Sequence, residues 1–108
     1  MANYLFIESR DPYGSNDTQF CCDLAKQLAQ QGDAVTVFLV QNGVFPARAG
    51  ARADELSALA KAGIEILADE FSLRERGIPT DRLTAGVKPA PLDVVIDRLA
   101  DGCKAIWH

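Results

Sequence analysis

The sequence predicts an α/β fold, a three-layer α/β sandwich on a mainly parallel sheet of about five strands. Two observations carry that expectation. Three times an amphipathic helical segment ends at a glycine (Gly32, Gly63, Gly102), and an apolar strand-like run begins within two residues of it. This alternation is that of βαβ units with right-handed crossovers, which lay helices on the faces of a parallel sheet. In addition, Ala34-Val35-Thr36-Val37-Phe38-Leu39-Val40 is almost continuously apolar and rich in β-branched residues, as a strand covered on both faces requires.

The elements follow in order. Tyr4–Ile7 is a short apolar run and reads as the first strand, and the polar stretch Glu8–Asp17 reads as a loop. Asn16 or Asp17 can cap the next helix, because a short side-chain oxygen accepts a bond from its unpaired N–H groups. Phe20, Cys21, Leu24, Ala25, Leu28 and Ala29 then recur at helical spacing, with Gly32 at the left-handed terminal position. After the strand Ala34–Val40, Gln41–Val44 supplies a turn, and Phe45–Gly50 continues as loop. A second helix is expected from about Ala51, with Leu56, Leu59 and Ala60 on one face, and Ile64–Ala68 is the third strand. Asp69–Arg76, ended by Gly77, has room for only a helical turn or two. Ile78–Pro91 contains three prolines, and Arg82–Val87 is the segment within it that reads as a short strand. The last helix carries Leu92, Val95, Ile96 and Leu99 on one face, and Cys103–Trp107 reads as the final strand.

The chain has 108 residues, 48% of them apolar, which fits a single domain over residues 1–108 with a core of its own. Its net charge of −4 and its scattered basic residues give no footprint for nucleic acid or an anionic membrane. The longest apolar stretches fall well short of the roughly 20 residues of a membrane span. Met1-Ala2-Asn3 leads into an apolar run without a basic start or a small-residue cleavage site, so the expected location is cytoplasmic. Three cysteines, Cys21, Cys22 and Cys103, form no C-x-x-C motif and have no histidine cluster near them. Neither a zinc site nor a thioredoxin-type pair is expected, nor any metal or cofactor.

In such a sheet, ligands bind outside the carboxyl ends of the strands, which points to the loops Glu8–Asn16, Gln41–Gly50 and Asp69–Gly77. The first of these, Asp11-Pro12-Tyr13-Gly14-Ser15-Asn16, could hold an anion through backbone N–H groups, but it matches no phosphate-binding motif, and a capped loop is the simpler reading. Asp69 and Glu70 are adjacent carboxylates at the end of the third strand. Successive strand residues point opposite ways, so the two need not act together, and Asp69 is suited to capping the short helix. His108, the sole histidine, is the last residue, a poor place for a general base. Trp107 is expected to pack on a neighbouring subunit or the final helix. Cys21 is expected on the apolar face of the first helix and Cys22 turned away from the densest part of the apolar stripe. A buried cysteine is inert, which makes Cys22 and Cys103 the candidate reactive thiols.

The order of elements, with Val37-Phe38-Leu39-Val40-Gln41-Asn42-Gly43-Val44 after the second strand and Arg74-Glu75-Arg76-Gly77-Ile78 after the third, resembles the DsrE/DsrF/DsrH family, which includes the TusB, TusC and TusD sulfur-relay subunits. The resemblance spans nearly the whole chain and implies a Rossmann-like DsrE fold, assembly as a homo-oligomer (trimer or hexamer) and a sulfur-relay partner protein. Members competent in sulfur transfer carry a persulfide cysteine eight residues before the glycine of Arg-Gly. In this sequence that position is Asp69. A carboxylate cannot accept a sulfane sulfur, because the transfer needs a polarizable thiolate that forms an S–S bond. Ile66-Leu67-Ala68-Asp69-Glu70, with Leu73 and Arg76-Gly77, is similar to the DsrH/TusB branch, whose subunits have polar and acidic residues in that loop.

The expectation is therefore a non-catalytic DsrE-like subunit that binds a partner protein or small ligand through Tyr13, Asn42, Gly43, Asp69, Glu70 and Arg76. The alternatives are a sulfur carrier with its thiol relocated to Cys22 or Cys103, and a small enzyme using Asp69 or Glu70 as general base.

Overall fold

The computed structural model describes residues 2–10, 17–48 and 53–107. The expected Asn16 or Asp17 cap, the Asp11–Asn16 loop with Tyr13, and His108 lie outside the described residues or side chains. The elements run β1 (Asn3–Glu8), α1 (Asp17–Gln30), β2 (Ala34–Leu39), a 3₁₀ helix (Gln41–Ala47), α2 (Ala53–Lys61), β3 (Glu65–Asp69), α3 (Glu70–Glu75), a 3₁₀ turn (Thr80–Arg82), β4 (Val87–Ala90), α4 (Asp93–Ala100) and β5 (Lys104–Trp107). The five strands form one sheet in the order β4-β3-β2-β1-β5, with every neighbouring pair parallel. The α/β class and the parallel sheet of five strands are as the sequence predicts.

Strand alternation divides the core in two. Phe6, Val35, Val37, Leu39, Ile66 and Ala68 face one side and pack with Ala25 of α1, Leu56 and Leu59 of α2, and Leu73 of α3. Leu5, Ile7, Phe38, Val40 and Leu67 face the other side, where Val94 and Val95 of α4 are their helical cover. Phe38, Leu5, Leu59 and Ile66 are wholly buried, and each stabilises the fold by about 1.5–3 kcal/mol before chain entropy is counted.

Four expectations are corrected. The loop after β2 is wound into the 3₁₀ helix Gln41–Ala47, drawn against the end of β1: Val40 N–H donates to the Glu8 carbonyl (3.0 Å) and Gly43 N–H to the Val40 carbonyl (2.9 Å). The segment Arg82–Val87 is not a strand. Leu83 makes an isolated bridge to Arg48, Gly86 turns the chain at φ +95°, and the strand starts at Val87 and includes Pro89. Proline has no N–H to give to a ladder, and β4 accommodates it by lying at the sheet edge.

The third correction concerns α4, whose apolar stripe does not face the core. Val95 is buried, while Leu92, Ile96 and Leu99 are 54%, 62% and 48% exposed. The helix is rotated so that Val94, Val95 and Arg98 meet the sheet. There the Arg98 guanidinium donates to Thr36 Oγ1 and to Glu65 Oε1, each at 2.7 Å, and Thr36 Oγ1 donates to the same Glu65 oxygen at 3.1 Å. Finally, Cys22 does not turn away from the stripe. It lies one turn before the buried Ala25 and packs against the larger core cluster.

Candidate functional site

β3 ends at Asp69, and the chain turns directly into α3, so the Asp69 side chain sits at the helix N-cap. Its Oδ2 accepts the Ser72 backbone N–H at 3.1 Å and the Ser72 hydroxyl at 2.7 Å. The spacing Asp69-Glu70-Phe71-Ser72 allows this, because an N-cap oxygen reaches the N–H three residues on. The Ser72 hydroxyl oxygen in turn accepts the Gln41 backbone N–H at 2.8 Å. Gln41 is in the left-handed region, φ +52°, the single non-glycine residue there among those described. Holding a side-chain-bearing residue in that conformation costs about 1–2 kcal/mol, and the conformation aims the Gln41 N–H at Ser72. One hydrogen-bonded line thus runs from the end of β2 through Ser72 to the carboxylate ending β3.

A second tie joins the same elements. Asn42 Oδ1 accepts from Arg76 Nε (3.2 Å) and Nη2 (3.1 Å), and Arg76 Nη1 donates to the Ser72 carbonyl at 3.3 Å. The Arg76 guanidinium lies 5.8 Å from the centre of the Phe45 ring, and Arg48 lies 5.2 Å from it. Gly43 contributes by having no side chain, since a Cβ there would collide with the Glu8 carbonyl.

Beside Asp69 opens a cavity of about 470 Å³ at the carboxyl ends of the strands. Ile7, Val40 and Val95 form its apolar floor, Asp69 and Ser72 its polar wall, and Phe71, Leu92 and Trp107 its rim. Asp69 is 7% exposed, whereas Phe71 and Trp107 are 63% and 66% exposed. The carboxylate is an acceptor with no polarizable sulfur beside it: none of the residues lining this cavity is a cysteine. The arrangement can orient a donor or a cation, and it lacks the nucleophile that sulfur transfer needs.

Of the residues singled out from the sequence, Asp69 and Arg76 line this cavity and Asn42 joins them through Arg76, whereas Gly43 lines the crevice on the other face of the sheet. Glu70 does not join them. It is exposed at the start of α3, over a shallow depression it shares with Arg74, Ile78 and Thr80. Cys22 lines a narrow crevice of about 40 Å³ against the other core cluster, together with Glu8, Arg10 and Cys21. Cys103 is half-buried at the amino-terminal end of β5, near Tyr4 and Arg98. Ser72 and Gln41 were missed. The capping distance from Asp69 could have found Ser72, but nothing local marks the N–H of Gln41. Of the rim residues, Leu92 reads from the sequence as part of the apolar face of the last helix and Trp107 as a packing side chain, and nothing marks Phe71. No helix among the described residues is long and apolar enough to cross a membrane.

The ychN protein from E. coli shares the fold with a TM-score of 0.90 at 20% sequence identity, all of both chains being covered. A protein of unknown function from Methanobacterium thermoautotrophicum, MTH1491, gives a TM-score of 0.87 at 19% identity over all of both chains. BT1422 from Bacteroides thetaiotaomicron, of unknown function, gives 0.74 at 18% identity over 98% of this chain and 95% of its own. No curated protein matches the sequence. The profile of the DsrE/DsrF-like family matches residues 2–107, nearly the full length of the parallel sheet and its helices, and the chain therefore belongs to the DsrE/DsrF-like family.

Proposed function

We propose that this protein is a non-catalytic DsrE-like subunit that recognises a partner protein or small ligand at the Asp69 cavity and does not itself carry sulfur. Family membership points to a role connected with sulfur metabolism. The observation that carries the reading is Asp69: where transfer-competent relatives are expected to hold a thiol, this chain holds a carboxylate tied to Ser72 and, through it, to Gln41. A group fixed by two donors inside a cavity is suited to positioning something that binds there. The exposed ridge Leu92, Ile96 and Leu99 on α4 supports assembly into a homo-oligomer, a trimer or hexamer, because a small domain gains by covering such side chains.

Incubation with a cysteine desulfurase and cysteine, followed by intact-protein mass spectrometry, tests the reading. No cysteine is expected to gain a sulfur atom, and replacing Cys21, Cys22 and Cys103 together by serine is expected to leave assembly unchanged. A persulfide on Cys22 or Cys103 would establish the relocated-thiol alternative instead.

A further inference from the structure

Phe71, Leu92, Ile96, Leu99 and Trp107 are the exposed large apolar side chains among the described residues. Three of them, Phe71, Leu92 and Trp107, stand on the rim of the cavity that contains the buried Asp69. Among the described residues the cavity is lined by two carboxylates, Asp69 and Glu75, and one cation, Arg76. Arg76 is already committed. Its Nε and both Nη atoms donate to Asn42 Oδ1 and the Ser72 carbonyl, and its guanidinium carbon lies 5.8 Å from the centre of the Phe45 ring. Asp69 meets both Ser72 donors with Oδ2 alone, and among the described residues no protein group donates to Oδ1. What remains is a net negative charge at the base of a cavity with aromatic groups at its mouth. The face of an indole or phenyl ring attracts cations, the indole most strongly. A carboxylate or thiolate ligand would meet repulsion from Asp69 and Glu75, and a neutral ligand would leave the Asp69 oxygen unmet.

We propose that the Asp69 cavity binds an organic ammonium ion, a primary amine carried on an apolar body, with its charge on Asp69 and its body against Phe71, Leu92 and Trp107. This inference rests on the reading of the cavity as a recognition site and adds the chemical class of what is recognised. The same chemistry is offered by a free amine and by the lysine side chain of a partner protein.

Trp107 is the chain's only tryptophan, so its fluorescence reports on the cavity. The full chain is titrated with benzylamine, with benzyl alcohol as an uncharged analogue, and with a blocked lysine amide. Benzylamine is expected to change the emission saturably in the millimolar range and benzyl alcohol to bind about tenfold more weakly. Asp69→Asn keeps an oxygen for Ser72 and is expected to weaken benzylamine about tenfold while leaving the alcohol unchanged. Glu75→Gln, on the surface end of α3, is expected to weaken the amine by a smaller factor and serves if Asp69→Asn does not fold. Lysine amide binding as tightly as benzylamine assigns the cation to a protein partner, and weaker binding assigns it to a free amine. Equal affinity for amine and alcohol, or no saturable response to either, overturns the proposal. Ammonium binding together with a persulfide on a cysteine would sink only the non-carrier reading, whereas no ammonium preference and no persulfide would sink only this one.

Discussion

Arg98 of α4 reaches over the sheet to Glu65 at the start of β3, Nη2 to Oε1 at 2.7 Å, while its Nη1 donates to Thr36 Oγ1 on β2. This contact accompanies the rotation of α4 that packs Val94 and Val95 on the sheet and leaves Leu92 and Ile96 outward. The carboxylate is about half exposed, so water screens the pair and its contribution is about 1 kcal/mol or less. Arg98→Ala is expected to destabilise by about 0.5–1 kcal/mol, and the double mutant with Glu65→Gln to cost less than the sum of the two singles. Urea unfolding of the four proteins measures this coupling. Strict additivity would mean that the contact does not hold the helix.

The same pair sets a pH dependence. Burial pushes the Glu65 carboxyl upward, but the bonds from Arg98 and Thr36 and the charges of Arg98 and Lys88 outweigh it and hold the group below its ordinary value. A carboxyl whose folded value is depressed binds its proton more readily in the unfolded chain. Its contribution is therefore fully present above the unfolded value and is lost as pH falls through the folded one. The stability difference between the native protein and Glu65→Gln is expected to be largest at neutral pH and to shrink on acidification through and below the ordinary carboxylate range. Urea midpoints measured across that range check it, and a gap that widens toward low pH would contradict it.

Ser72→Ala removes the hydroxyl that accepts from Gln41 and donates to Asp69, leaving the backbone cap in place. A buried network that loses its central member costs about 1–3 kcal/mol, and amide exchange at Gln41 is expected to accelerate relative to its neighbours. Exchange monitored by NMR is the measurement. Unchanged protection at Gln41 would argue against the hydrogen-bonded line.

Gln41→Gly is expected to be neutral or to stabilise by up to about 1 kcal/mol, since glycine adopts φ +52° without a Cβ penalty. Gly43→Ala is expected to behave oppositely. Its new methyl would collide with the Glu8 carbonyl, which is backbone and cannot swing aside, so a loss of about 2 kcal/mol or more is anticipated. Thermal denaturation of the two variants side by side decides whether this corner is limited by conformation at one residue and by space two residues on.

Much of the fold was legible in the sequence because its causes are local. β2 lies between two strands with helices over both faces, and that burial matches the run Ala34–Val40, apolar except for Thr36. Gly32, Gly63 and Gly102 sit at φ near +90°, where a helix ends and only glycine is unstrained, so the repeating unit could be read before any contact was known. β4 escaped because an edge strand is covered less completely, and Val87-Lys88-Pro89-Ala90 carries neither the pattern nor the hydrogen-bonding capacity of a central one. Asp69 was legible as a cap and as an acid where the family resemblance places a thiol.

By itself, then, the sequence determined the βαβ order, the glycine-ended helices and a carboxylate, Asp69, at the end of the third strand. Those depend on residues within a few positions of one another. Only the tertiary structure decided which face of α4 turns inward, that Ser72 joins Asp69 to Gln41, and that Trp107, Leu92 and Phe71 surround one cavity. Arg98 finds Thr36 across 62 positions and Ser72 finds Gln41 across 31. Helical periodicity gives a stripe of apolar residues but no fixed rotation, and a backbone N–H has no signature in a sequence until folding brings an acceptor to it.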